Sequence, residues 1–331
     1  ICNTDFFFFC FYLQTLFHKM NKNYEMYTNI NMRNTFYSGV GIGILANTML
    51  LLFHVAMFVC GHRPRPRPAD LPIRLLALVH LVMTVITGII STDIFVSQGG
   101  WDDITCRSLL YLYRSLRGLS LCVTCLLSIL QAITLSPKSS LLAKLKYISP
   151  KYNLCYFFFL CAFYTSIGGH LFVSIIATRN LTSANLVYVT ESCSFVLMSY
   201  SMQHTFSILL TFREAFLIGV MALSTVYMAT VLCRHKKQSK HLHSTSFSPK
   251  ASPEIRATWA ILVLMSFFVV MSTLDGIISY KRTMMKDYPI FYCIKLLVAH
   301  SYAAVSPLVF ISIDKGIINF LRHMCGRKAN I

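Results

Sequence analysis

The sequence predicts an all-α membrane protein, a bundle of seven transmembrane helices, and three observations predict it. Only 13% of its 331 residues are charged and 55% are hydrophobic, whereas a soluble domain carries about 25% charged residues. Most of the surface therefore faces something other than water. The apolar residues gather in blocks of about 20 to 25, the length a helix needs to cross about 30 Å of hydrocarbon at about 1.5 Å per residue. The net charge is +18, and the basic residues fall mostly between the blocks, as loops at a headgroup surface require. That placement, rather than a basic face on a soluble domain, argues against nucleic acid as a partner. Strands do not substitute for the helices, because a barrel shows shorter alternating segments and an open strand leaves backbone groups unpaired in lipid.

Seven blocks follow in order: Phe36 to Val59, Leu71 to Val96, Cys106 to Leu135, Tyr152 to Ala177, Thr205 to Cys233, Ala257 to Tyr280, and Ile290 to Ile313. Pro64, Pro66 and Pro68 interrupt any helix after the first block, since proline lacks an N–H and clashes with the preceding turn. Ser136-Pro137 closes the third block and Ser149-Pro150 precedes the fourth. Residues 1–35 read as an extracellular N-terminal segment, residues 36–313 as the seven-helix bundle, and residues 314–331 as a cytoplasmic tail. The chain starts at Ile1, with Met20, Met26 and Met32 as candidate starts, so part of the first segment reads as untranslated or non-functional sequence. Phe6 to Phe17 is apolar but lacks the basic flank and cleavage site of a signal peptide.

Orientation follows from the loops. Seventeen Lys and Arg lie on the side that holds Arg63, Lys144, Lys236, Lys250 and Arg327, and seven on the side that holds Lys22, Arg179 and Lys281. The richer side is cytoplasmic by the positive-inside rule, which puts the N-terminus outside. The single Asn-x-Ser/Thr sequon, Asn180-Leu181-Thr182, then falls in the second outer loop, where a glycan can be attached. Cys106, at the outer end of the third block, and Cys193, in that loop, face an oxidising compartment and read as a disulfide. The plainer alternative is two free thiols and an unused sequon.

Several stretches resemble the vomeronasal type 1 receptor family. They are Asp70-Leu71-Pro72-Ile73 with Leu76-Ala77-Leu78-Val79-His80-Leu81, Tyr113-Arg114-Ser115-Leu116-Arg117-Gly118, Thr124 to Ser128, Gln131 to Pro137, and His300 to Pro307. The similarity covers roughly Phe36 to Phe320, and the third block is its most specific part. The chain departs from rhodopsin-like receptors: Leu130-Gln131-Ala132 stands where those carry Asp/Glu-Arg-Tyr, and Ser306-Pro307 where they carry Asn-Pro-x-x-Tyr. The resemblance implies a G-protein-coupled receptor of the plasma membrane. Its implied ligands are small pheromone-like molecules, and its implied partner is a heterotrimeric G protein of the inhibitory type. The basic loop Arg234 to Arg256, with Ser244, Thr245, Ser246, Ser248 and Ser252, is then a contact for that protein and for anionic lipid. Ile317 to Arg322 forms an amphipathic turn beside Cys325, a palmitoylation candidate.

Charges inside the blocks narrow the search for a site. An ionisable group in a bilayer costs a few kcal/mol and faces the bundle interior or snorkels to its edge. Arg114 lies eight residues below Cys106, about 12 Å deep, and Arg117 lies one turn deeper on the same face. Arg213, Glu214, Asp275, Lys295 and Asp93 also occupy outer halves. Arg114, Arg117, Glu214, Asp275 and Lys295 are the candidate ligand-binding residues, since a small-molecule pocket needs apolar walls with a few placed polar groups. The competing reading is that these charges only pair with one another, or, for Arg213, Asp93 and Lys295, snorkel to the headgroups. His80, His170 and His300 read as packed or hydrogen-bonded core groups, and Gly39-x-x-x-Gly43 as a helix-contact face.

Rival functions are weaker. Lys295 is too near the outer end for a retinal-bearing lysine, and the third block offers no carboxylate counter-ion. Paired halves, the mark of a transporter, are not visible. A bitter-taste-type receptor shares the architecture, and the third-block motif separates it. No HExxH, phosphate-cradling loop or catalytic triad appears, so no enzyme is expected. No cofactor or metal is expected either; His235, His241 and His243 do not form a metal-ligand pattern.

Overall fold

The computed structural model describes residues 30–59, 70–96, 100–137, 175–177, 186–188, 193–196, 200–242, 253–284 and 290–313, with residues 158, 159, 162, 166, 169, 172, 174, 190 and 192. Among the described residues six long helices carry the fold: α1 (Ile30–Val59), α2 (Asp70–Val96), α3 (Asp103–Leu135), α4 (Tyr200–Leu242), α5 (Pro253–Met284) and α6 (Ile290–Ile313). Each helix packs on its neighbour in this order and α6 closes onto α1 and α2, so the six form a ring. Among the described residues four stretches are long and apolar enough to cross a membrane: Arg33–Met57, Asp70–Val96, Asp103–Leu135 and Ile208–Arg234. Leu262–Ile278 and Leu296–Ser312 are shorter apolar stretches. Most of the expected fourth span, Tyr152 to Ala177, lies outside the described residues; within it Phe158, Phe159, Ala162 and Ser166 are helical.

Several helices outrun their apolar blocks. α1 starts at Ile30, not Phe36, so its first turns fall in the segment expected to precede the bundle. α4 runs to Leu242, nine residues into the basic loop expected to begin at Arg234. Hydropathy marks where lipid would end, whereas helical hydrogen bonding continues into polar sequence such as Arg234-His235-Lys236-Lys237. α5 opens on Pro253, a residue suited to a first turn, where its missing N–H has no partner to lose. At the end of α3, Ser136 bonds back to Ala132 O (3.0 Å) and meets the Tyr227 hydroxyl of α4 (2.8 Å), so Ser136-Pro137 is a true stop.

The purely helical expectation needs one correction. Ile175–Ala177, read as the end of the fourth span, is a strand, β1. With β2 (Leu186–Tyr188) and β3 (Cys193–Val196) it forms an antiparallel sheet of order β1-β3-β2, Ile175 opposite Phe195 and Val187 opposite Phe195. Ile175-Ile176 are apolar and β-branched, so they fit a short strand as readily as a helix end.

Apolar side chains divide by face. Leu50, Phe53, Leu76, Leu127, Met221 and Leu264 are buried in the ring. Ile42, Leu45, Met49 and Leu52 on α1, and Phe212, Phe216, Leu223 and Val226 on α4, point outward and are exposed. Outward apolar stripes on helices of spanning length match a hydrocarbon surround.

Candidate functional site

One end of the ring carries the sheet, fastened by covalent and polar contacts. Cys106 at the start of α3 and Cys193 of β3 form a disulfide with Cα atoms 5.7 Å apart. Asp93, near the end of α2 and buried, accepts hydrogen bonds from the Ser192 N–H (3.1 Å) and hydroxyl (2.5 Å). Arg107 Nε donates to Ile175 O (2.8 Å), and Ala177 N donates to Asp103 Oδ1 (2.6 Å), so β1 is held by the first turns of α3. Gly100 takes a φ of 142°, a conformation open to glycine alone at little cost, and its N–H reaches Ser192 Oγ at 3.3 Å. Asp102 caps α3 by accepting from Thr105 N at 3.2 Å, and hydrogen bonding from the Thr105 hydroxyl and N–H holds its carboxyl below the usual carboxylate value.

Deeper in the ring, Arg117 of α3 forms an ion pair with Asp275 of α5. Glu214 of α4 adds further attraction at the same guanidinium. Arg117 and Asp275 stand on the wall of a cavity shared with Met83, Ser120, Phe268, Met271 and Tyr302. The cavity is small, about 30 Å3. That room suits a few waters, so a larger molecule enters only if the helices part.

The structure sorts the five candidates. Arg117, Glu214 and Asp275 come together. Arg114 is half-buried one turn nearer the sheet, off the cavity wall, with no hydrogen-bond or ion-pair partner among the described residues. Lys295 lies on α6, and its side chain lies outside the described residues, as do Asn180, His170 and the loop serines Ser244 to Ser252. Asp93 and Arg213, for which a structural role by pairing or snorkelling was the competing reading, take structural places facing the ring: Asp93 anchors the sheet, and Arg213 sits on the buried stripe of α4 with Leu210, Leu217 and Met221, 3.8 Å from Glu214. Helix phase decides both, because each faces the ring rather than lipid.

His80 is a hydrogen-bonded core group as expected, but its partners beneath the cavity were not named by the sequence. His80 of α2 bridges two helices, Nδ1 to Ser306 Oγ of α6 (2.9 Å) and Nε2 to Ser120 Oγ of α3 (2.7 Å). Pro307 of α6 has no N–H for Ala303 O, four residues back, and Asn47 Nδ2 of α1 donates to that carbonyl at 3.0 Å. An asparagine in one apolar block and an interior proline in another were the available signals. The Gly39-x-x-x-Gly43 stripe is a contact face as expected: a Cβ on Gly43 would stand 3.2 Å from Thr84 Cγ2 and 3.4 Å from the His300 ring.

Comparison with known proteins bears on this arrangement. Residues 30–323 match the model of the vomeronasal organ pheromone receptor family. "Vomeronasal type-1 receptor 94" of Rattus norvegicus is 56% identical over 319 residues, 96% of this chain and 97% of that protein. "Vomeronasal type-1 receptor 52" of Mus musculus is 56% identical over 306 residues, 92% of this chain and 98% of that protein. "Vomeronasal type-1 receptor 105" of Rattus norvegicus is 54% identical over 312 residues, 94% of this chain and all of that protein. The resemblance carried by the third block therefore extends along nearly the whole sequence, and the chain belongs to the vomeronasal organ pheromone receptor family.

Proposed function

We propose that the chain is a chemosensory G-protein-coupled receptor of the plasma membrane. Seven helices cross the bilayer, with the N-terminus and the sheet outside. A small pheromone-like molecule binds in the outer half of the bundle, and the receptor signals to a heterotrimeric G protein, of the inhibitory type by family resemblance. The observation that carries the reading is the Arg117–Asp275 pair on the wall of a cavity inside a closed helical ring, below a disulfide-anchored cap. Charge buried at that depth is costly, so its placement calls for a role.

The roles divide by what each charge already touches. Arg117 is balanced by Asp275 and Glu214 and holds α3 against α5. Among the described residues Arg114 has no such partner, and a guanidinium pairs two oxygens of an acidic group at once. The preferred ligand is therefore apolar over most of its surface, with a carboxylate, sulfate or strong acceptor at one end. Lys295 is the second cation of the proposed pocket. Asn180 carries a glycan on the outer loop.

A compound screen on cells expressing the chain from Met20 or Met26, read by calcium or cAMP, tests the reading. A panel of volatile and steroid-like compounds, with acidic and neutral members, serves as the probe. An acidic compound is expected to give a dose response that Arg114→Ala shifts by about tenfold or more at equal surface expression, the weight of one charge-assisted pair. An unchanged dose response in Arg114→Ala and Lys295→Ala would remove both from the pocket.

A further inference from the structure

The cavity has a floor that the proposed ligand site does not use. Ser120 and Tyr302 line the cavity, and both contact His80: Ser120 through its hydroxyl at 2.7 Å, Tyr302 through an edge-to-face ring contact with centroids 5.2 Å apart. Thr124, one turn below Ser120, bonds to Ser120 O (2.7 Å) and approaches the Tyr302 hydroxyl (3.4 Å). On its other side His80 holds the hydroxyl of Ser306, the residue before Pro307.

Two features separate this arrangement from plain packing. His80 is fully buried, and an imidazole at that depth costs free energy that leucine or phenylalanine would avoid. In an uncharged imidazole one nitrogen donates and the other accepts, and the two serine hydroxyls take the complementary roles, so both ring nitrogens are satisfied. The arrangement also meets α6 where its own ladder is broken. Pro307 leaves Ala303 O to Asn47 of α1, and helices bend at such points. α6 is thus held at its weakest turn by α1 through a carbonyl and by α2 through a side chain.

We infer that His80 is a positioning residue that latches α6 to α2 and α3 beneath the cavity and keeps the ligand-free receptor in its resting arrangement. A ligand that parts the cavity wall displaces Ser120 and Tyr302, loosens His80 and frees α6 to move about Pro307. The inference rests on the receptor reading for its signalling part and on the geometry alone for its mechanical part.

The experiment uses the full chain in lipid nanodiscs, with no ligand, as parent, His80→Leu, Ser306→Ala, the double variant and Ser306→Thr. Ser306→Ala removes one hydroxyl, so it keeps the test alive where His80→Leu fails to fold. Two quantities are read: hydrogen–deuterium exchange of amides 303–311, and GTPγS uptake by an added inhibitory-type heterotrimer per folded receptor. The latch predicts a rise of roughly two- to tenfold in both for each single variant, the shift one buried hydrogen bond carries. The double variant should match His80→Leu, which already lacks the contact that Ser306→Ala removes, and Ser306→Thr should return to parent. Unchanged amide exchange at 303–311 overturns the latch whatever the G protein does. Faster amide exchange with unchanged GTPγS uptake, in a chain that answers the compound screen, makes His80 a packing residue and overturns the proposal. Faster amide exchange in a chain that fails both the screen and GTPγS uptake supports the mechanical latch and removes the receptor reading instead.

Discussion

Arg117 and Asp275 show what single residues do in this bundle. Their depth was legible in the sequence, because each stands in an apolar block and helical rise converts position to depth. Their pairing was not, because spacing along one helix gives a face without naming the helix opposite. The partner of Asp93 was hidden for the same reason: nothing in its own block announces Ser192, ninety-nine residues away. The ion pair makes a sharp prediction. Arg117→Met leaves Asp275 buried without its main partner and should cost about 3–5 kcal/mol, whereas Arg117→Met with Asp275→Leu should recover most of the loss. Thermal unfolding of the detergent-solubilised protein measures both. Additive losses would mean that the two side chains do not act as a pair.

At the scale of elements, α1 and α6 meet through absence of side chain. Gly39 and Gly43 let the His300 ring close against α1, and Gly43 also admits Thr84 of α2. Small residues at such faces let helices approach within van der Waals reach, which is what holds them together in lipid. Gly43→Leu should separate α1 from α2 and α6 and abolish surface expression, whereas Gly41→Leu, whose Cβ position is open, should leave it near parental. Flow cytometry of an epitope-tagged chain compares the two, and equal expression would remove the stripe as a contact. The GxxxG pattern was legible, but its partner, a histidine rather than a second glycine stripe, was not. Helix ends followed a similar rule. The described extent of α6, Ile290–Ile313, matched its expected bounds, while α1 and α4 continued past the apolar edge because backbone hydrogen bonding needs no lipid.

Across the whole molecule, composition and block length indicated a helical membrane bundle, and the third block indicated the family. The sheet escaped notice because three- and four-residue strands leave almost no periodic signal, and its anchors are hydrogen bonds from residues scattered over α2 and α3. Which end of the ring faces outward matters most, since the disulfide, the proposed pocket and the latch are ordered along that axis. Glycan mapping at residue 180 tests it most directly. The chain made in mammalian cells should carry an N-glycan that glycosidase removes and Asn180→Gln abolishes, with a C-terminal tag protected from external protease until the membrane is opened. An unglycosylated Asn180 with an externally cleaved C-terminal tag would contradict the account, because the cavity and its cap would then face the cytosol.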